Sequence, residues 1–231
     1  MRYKALATDY DGTFAHHGTV DPATVDAATQ LRQAGATLLM VTGREIPDLL
    51  TVFSECAIFD LIVAENGALL YWPKTKTEKP LAPPFPRVFP ERLRERGVKE
   101  LSVGHVIVAT MENYVSVVNE AIAELNLRAE VILNKGSLMI LPRDIDKGTG
   151  LRAGLSELVL RPEEVVAVGD AENDQSLLRN AGFGVAVANA LPLLKEKADW
   201  VTPSGHGIGV RELIDRMIKD DLPARPGIEL H

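Results

Sequence analysis

The chain has 231 residues, 46% of them hydrophobic and 25% charged, with a formal net charge of −7. This composition fits a globular protein of one large or two small domains, and the negative balance argues against nucleic acid as a partner. No apolar run approaches the roughly 20 residues that cross a bilayer, Met1-Arg2-Tyr3-Lys4 leads into a strand-like run without signal-peptide architecture, and the lone Cys56 permits no internal disulfide, so a cytoplasmic protein with no membrane partner is expected.

Tyr3–Thr8 reads as a buried strand that ends in Asp9-Tyr10-Asp11-Gly12-Thr13. Ionised carboxylates beside a core must be paired, hydrated or metal-bound. Two readings stand here: acids that cap a turn, or oxygen ligands for Mg²⁺, one of which could serve as a covalent nucleophile. Pro22–Ala34 has a helical pattern, with Asp21 as N-cap and Gly35 as its stop. Thr37–Val41 is a second strand, ending in Thr42-Gly43-Arg44. A helix over Ile46–Cys56 and a strand over Leu61–Ala64, ending in Glu65-Asn66-Gly67, follow. Apolar strands separated by helices indicate a parallel sheet covered on both faces.

The alternation breaks at Trp72. Residues 73–90 hold six prolines (Pro73, Pro80, Pro83, Pro84, Pro86 and Pro90), which predicts a linker or irregular surface segment. A strand over Val103–Thr110, a helix over Glu112–Leu125 and a hairpin of Glu130–Leu133 and Ser137–Leu141, turning at Asn134-Lys135-Gly136, make a small α+β unit. Residues 74–143 carry 11 Lys+Arg against 8 Asp+Glu, a net of +3, which leaves −10 on the rest of the chain. A basic insert over an acidic body could draw in an anionic substrate, although Arg92, Arg94, Arg96 and Lys99 read better as a solvated helix face.

Alternation resumes after Asp146. Helices are expected over Gly148–Leu158, Asn173–Ala181, Leu191–Ala198 and Val210–Ile218, and strands over Val165–Val168, Gly184–Val187 and Trp200–Thr202. The tail, Asp220–His231, reads as loosely held. The expected fold is therefore α/β, a doubly wound parallel sheet. The core is 1–73 and 144–231, and 74–143 is inserted as a small α+β domain.

Ligands of such sheets bind beyond the carboxyl ends of the strands, where this chain's useful side chains fall. Asp9 and Asp170 are natural direct Mg²⁺ ligands, and Asp174 could ligate through water or orient Asp170. The Thr42 hydroxyl and the Gly43 N–H suit phosphate oxygens. Lys147 supplies positive charge to a transferring phosphoryl group. Asn173 can donate from a helix start, Asp11 is left as proton carrier, and Arg44 either contacts phosphate or bridges to a nearby carboxylate.

Asp9-Tyr10-Asp11-Gly12-Thr13, Val41-Thr42-Gly43-Arg44, Asp146-Lys147-Gly148 and Gly169-Asp170-Ala171-Glu172-Asn173-Asp174 resemble, in order and spacing, the four signature motifs of the haloacid dehalogenase-like hydrolases. The match spans residue 3 to about 215. The insert resembles a small C2-type cap of the Cof-like sugar-phosphatase branch, as does Glu65-Asn66-Gly67. The resemblance implies a cytoplasmic Mg²⁺-dependent phosphatase, monomer or homodimer, acting on a small phosphorylated metabolite such as phosphoglycolate or a sugar phosphate. It implies that Asp9 forms an aspartyl-phosphate and that Asp11 first donates and then takes a proton, with Thr42 and Lys147 completing the catalytic set. Thr42, Gly43, Arg44, Lys147 and Asn173 become the substrate-binding set, and Asp9, Asp11, Asp170 and Asp174 the metal set. A phosphomutase with the same core chemistry, and a non-catalytic phosphate- or metal-binding domain, are the alternatives. Tyr10 is expected to pack. The histidines at 16, 17, 105 and 206 are read as exposed or structural, and Lys135 is a secondary candidate for substrate recognition.

Overall fold

A computed structural model describes residues 1–134 and 136–223. In chain order the body opens with β1 (Ala5–Thr8), α1 (Pro22–Gln33), β2 (Thr37–Val41), α2 (Ile46–Val52), β3 (Leu61–Ala64), β4 (Leu69–Trp72) and β5 (Thr77–Pro80). A smaller unit follows, with α3 (Val88–Glu95), β6 (Ser102–Val103), β7 (Val108–Met111), α4 (Val115–Glu124), β8 (Ala129–Asn134) and β9 (Ser137–Pro142). The body closes with α5 (Lys147–Glu157), β10 (Val165–Gly169), α6 (Asp174–Arg179), β11 (Phe183–Ala186), α7 (Pro192–Lys195), β12 (Trp200–Val201) and α8 (His206–Ile218).

Eight strands form one sheet in the order β12-β11-β10-β1-β2-β3-β4-β5, parallel from β12 to β3 and antiparallel at β4 and β5. Every residue of β1, β3, β10 and β11 is buried, as expected of a sheet covered on both faces. The chain winds outward from β1 through β2 and β3, and on the other side from β10 through β11 to β12. The order therefore reverses between β1 and β10, whose ends are in register at Thr8 and Val168. Such a reversal opens a crevice at the strands' carboxyl ends.

The second sheet, β6-β7-β9-β8, is antiparallel and carries α3 and α4, with its own core of Phe89, Leu93, Val98, Val108, Val118, Leu138 and Ile140. Arg92 pairs with Glu95 and Glu124, and Arg96 with Glu120 and Glu124, so the basic face of α3 is tied to α4.

Three local expectations differ from the structure. The proline-rich stretch contains β5, an exposed edge strand paired to β4; it tolerates Pro80 because the edge position needs no inward N–H there. The expected strand Val103–Thr110 is instead a hairpin, β6 and β7, turned through residues 104–107. The expected helix Ile46–Cys56 stops at Val52 and gives way to a 3₁₀ turn at Cys56–Ile58. Asp21 caps α1 as expected, accepting from the Ala23 N–H at 2.9 Å. Leu222 is buried and the Tyr3 hydroxyl donates to the Pro223 carbonyl, so the described start of the tail is held; residues 224–231 and Lys135 lie outside the described residues.

Candidate active site

The crevice between β1 and β10 brings Asp9 and Asp170 together. The Asp9 N–H donates to the Val168 carbonyl at 2.9 Å, extending the ladder one step and fixing where Asp9 leaves the sheet. The loop then folds back: the Phe14 N–H donates to the Asp9 carbonyl, and buried Tyr10 donates its hydroxyl to the Gly18 carbonyl. Tyr10 packs as expected, with the Arg44 guanidinium 5.4 Å from its ring centre.

Lys147 is the first residue of α5. Asp146 caps that helix by accepting from the Thr149 N–H at 2.7 Å, and Thr149 returns the contact by accepting from the Asp146 N–H at 2.9 Å. This capping box aims Lys147 inward, where it is 1% exposed. Its ammonium donates to Asp9 Oδ1 and to Asp174 Oδ1, both at 2.6 Å. The other oxygen of Asp174 accepts from the Asp170 and Ala171 N–H groups at 2.9 and 3.0 Å. Asp174 thus holds Lys147 with one oxygen and shapes the Asp170 loop with the other. One oxygen from each of Asp9, Asp170 and Asp174 lies within 4.8 Å of the others. Burial and then the Asp174 charge push the Asp9 carboxyl up to about 8 against the pull of Lys147. Burial alone would lower Lys147, but Asp174 and Asp9 overturn that and raise it, so it stays charged.

The remaining residues line or border a cavity of about 320 Å³. Its walls include Asp9, Asp11, Gly43, Arg44, Lys147 and Asn173 from the body, and Asn134, Ser137 and Met139 from β8 and β9. Asp11 stands outside the three-carboxylate group. The Arg44 guanidinium grips it with two bonds, Nε to Oδ2 at 2.6 Å and Nη2 to Oδ1 at 2.8 Å, and also reaches Asp48 at 2.6 Å. Of the two roles open to Arg44, the bridge to carboxylates is the one drawn. Thr42 is fully buried; its hydroxyl accepts from the Arg44 N–H at 3.1 Å, shaping the loop that presents Gly43 and Arg44 to the cavity. Asn173 donates to Asn66 Oδ1 at 2.8 Å, and its own carbonyl oxygen is buried without a protein partner.

Sequence reasoning missed several supports. Thr13 donates to Asp170 Oδ1 at 3.2 Å. Asn189 donates to the Gly12 carbonyl at 2.8 Å and reaches Asp170 Oδ2 at 3.4 Å. His206 sits against the same Gly12 carbonyl and stacks on His16. Asn189 and His206 carry no local signal, because each becomes relevant only once distant loops meet. Thr13 stands inside the first motif, Asp9-Tyr10-Asp11-Gly12-Thr13, which was the signal for it.

The donor set fits a hard divalent cation. Three buried carboxylates face one buried ammonium among the described residues, an excess of negative charge that a buried cluster relieves by taking up a proton, the direction in which Asp9 is pushed, or by holding a further cation. Both Asp174 oxygens are held by N–H donors at 2.6–3.0 Å, whereas the Asp170 oxygens have longer contacts, to Thr13 at 3.2 Å and Asn189 at 3.4 Å. All the donors are oxygens, the type that Mg²⁺ takes.

The sequence profile of the haloacid dehalogenase-like hydrolases matches residues 6–86 and 90–214. Among relatives, a phosphoglycolate phosphatase of Methanothermobacter thermautotrophicus is 30% identical over 224 residues, covering 93% of this chain and 99% of that protein. Phosphoglycolate phosphatase 2 of Saccharolobus solfataricus is 31% identical over 225 residues, covering 92% and 91%. A crystal structure of a haloacid dehalogenase-like hydrolase from Bacteroides thetaiotaomicron shares the fold with a TM-score of 0.79 at 21% identity, covering 93% of this chain and 99% of that one. Thermoplasma acidophilum protein 0175 does so with a TM-score of 0.80 at 16% identity, covering 95% and 99%.

Proposed function

The chain belongs to the haloacid dehalogenase-like hydrolases, and on that premise we propose that it is a Mg²⁺-dependent phosphatase working through an aspartyl-phosphate on Asp9. It is a phosphoric monoester hydrolase of the Cof-like kind. Phosphoglycolate is the first substrate to test: relatives of about this chain's length carry that activity in their names, and a cavity of about 320 Å³ suits a small metabolite.

The observation that carries the reading is the Lys147 ammonium, 2.6 Å from Asp9 Oδ1 at the floor of the cavity. The buried ammonium aligns the Asp9 oxygen and pulls against the burial and the Asp174 charge that raise this carboxyl; the divalent cation proposed beside it would complete the ionisation that a nucleophile requires. In the proposed sequence an Asp9 oxygen attacks phosphorus while the bond from phosphorus to the substrate alcohol oxygen breaks. Asp11 gives its proton to the leaving oxygen. Water then attacks phosphorus, passes a proton to Asp11, and releases inorganic phosphate and the free Asp9 carboxylate. The ion pair from Arg44 to Asp11 must loosen before Asp11 can carry a proton, and an arriving phosphate is a competing partner for that guanidinium. Thr42, Gly43 and Asn173 are assigned to phosphate oxygens, with Lys147 offsetting charge as it develops. A divalent cation on Asp9 and Asp170, with Asp174 holding the loop behind them, would supply further neutralisation of the phosphate's charge.

We assign the body, 1–73 and 144–231, as a core domain and 74–143 as a cap. Strand β5 is the part of that insert that extends the core sheet. The test is a phosphate-release screen over phosphoglycolate, sugar phosphates and other monoesters with Mg²⁺. Release from at least one, abolished in a folded Asp9→Asn protein, is expected. Turnover near wild type in that variant would remove Asp9 as nucleophile, and return of the phosphoryl group to substrate without phosphate release would indicate a mutase.

A further inference from the structure

The three residues at the end of β3 adopt backbone angles that side chains rarely take. Glu65, Asn66 and Gly67 have φ of 50°, 54° and 108°. Glu65 and Asn66 are also fully buried. Successive left-handed residues that are not glycine persist only where the surroundings hold them, and they concentrate where position matters.

Each residue of this turn is held by a different part of the site. Through the backbone, the Glu65 N–H donates to the Arg44 carbonyl at 3.0 Å and the Asn66 N–H to the Thr42 carbonyl at 2.9 Å. The Asn66 side chain accepts from Asn173, next to Asp174. Gly67 abuts the Asp146 carbonyl at the start of α5, where a Cβ would collide. The Glu65 carboxylate turns the other way, into the loop between β6 and β7. There Oε1 accepts from the His105 N–H at 2.7 Å, and Oε2 from the Val106 and Ile107 N–H groups at 2.7 and 2.9 Å. The fit requires Gly104, because a Cβ there would lie 2.7 Å from Glu65 Oε1. His105 is tied down a second time, by Glu78 of β5 at 3.0 Å.

What this loop carries matters for the cavity. It runs directly into β7, which pairs with β9 so that Ala109 faces Met139 and Met111 faces Ser137. Strand β9 in turn pairs Ser137 with Asn134 of β8. Met139, Ser137 and Asn134 are the wall that the second sheet contributes to the cavity. Val106, Ile107, Met139 and Leu141 also share a small apolar cluster with Ala68, the residue after the turn.

We propose that Glu65 is a positioning residue that clamps the second sheet over the phosphate site, setting the distance between its wall and Asp9 and so the size of substrate that binds well. The strained turn makes the clamp stiff, because the same three residues are locked to the loops carrying Thr42, Lys147 and Asn173. The proposal deepens the phosphatase reading and rests on it for its kinetic consequences, but not for its structural one.

The test uses two full-length variants. Glu65→Gln keeps the volume but turns an amide NH₂ toward backbone donors. Gly104→Ala attacks the same contact from the loop and leaves the core side chain intact. Phosphate release is measured for phosphoglycolate and for p-nitrophenyl phosphate, whose aryl ring is not matched to the wall, alongside hydrogen exchange of the backbone amides at 105–107. We expect KM for phosphoglycolate to rise on the order of tenfold in both variants, as loss of a charge-assisted hydrogen bond gives. Its kcat should change far less, p-nitrophenyl phosphate should be nearly unaffected, and the three amides should exchange faster. Equal loss of both substrates, as from a residue needed only for folding, would overturn the proposal, as would an unchanged substrate ratio or full protection of the amides in both variants. If the wild type releases phosphate from neither of these nor from any monoester of the wider screen, the phosphatase reading fails on its own, and the exchange data still decide whether Glu65 clamps the loop.

Discussion

Replacing Lys147 by Met removes the charge that two buried carboxylates share while keeping much of the side chain's volume. The Lys147 ammonium makes 2.6 Å contacts to Asp9 and Asp174, and the three side chains are at most 5% exposed. Taking one partner from a buried pair costs about 3–5 kcal/mol, because the other charge stays buried and unpaired. The apolar replacement fills the space, so the additional cavity cost is small. Asp9 can relieve part of the loss by taking up a proton, which favours the lower end, about 3 kcal/mol. At about 2–4 °C per kcal/mol for a chain of this size, the melting temperature in chelator should fall by about 6–12 °C. Phosphate release should fall by at least about a hundredfold, the scale for losing one preorganised electrostatic contact. The assay is thermal unfolding followed by circular dichroism, paired with phosphate release on the folded variant. A melting temperature within about 2 °C of wild type, or turnover within tenfold of it, would refute the reasoning that Lys147 neutralises this site.

Three other outcomes follow from the same structure. Adding Mg²⁺ to metal-free protein at about 100 times its dissociation constant should stabilise the fold by about 2.7 kcal/mol; Asp170→Asn should remove most of that gain in thermal unfolding, and an equal gain in the variant would take Asp170 out of the metal set. Glu164 is held down to about 2, first by its hydrogen bond to Lys4 and then by the Arg161 N–H. A carboxylate depressed below its unfolded value contributes stability present above about pH 4.5 and lost as pH falls toward about 2, so Glu164→Gln should narrow the stability difference between pH 5 and pH 2.5, and an unchanged acid limb would contradict the assignment. Gly67→Ala would put a Cβ into the Asp146 carbonyl at a φ of 108°; it should cost about 1–3 kcal/mol from backbone strain alone, and a neutral effect in denaturant unfolding would show that the turn is not locked.

Much of the fold was legible because parallel strands buried on both faces leave continuous apolar runs, as at Leu61–Ala64 and Val165–Gly169, and because Asp21-Pro22 marks a helix start locally. The strand ends collected the acids because the crevice of such a sheet lies there. Edge and loop features were not legible. Strand β5 is exposed throughout and carries no apolar alternation. The hairpin at 104–107 is turned by Glu65, some 40 residues earlier, so no local pattern announces it. The bridge from Arg44 to Asp11 was only one of two options in sequence, because the choice depends on how two loops approach. Asn189 and Thr13 reach Asp170 only across the finished crevice.

The central claim is that Asp9 carries the phosphoryl group during turnover. The most direct measurement is a rapid acid quench of the Mg²⁺-loaded enzyme with phosphoglycolate, followed by mass spectrometry of the peptide that contains residues 9–13. A phosphoryl adduct on Asp9 that forms and decays within the turnover time, and is absent in Asp9→Asn, is the predicted result. Phosphate release that proceeds with no adduct at Asp9, or with the adduct on another residue, would contradict it.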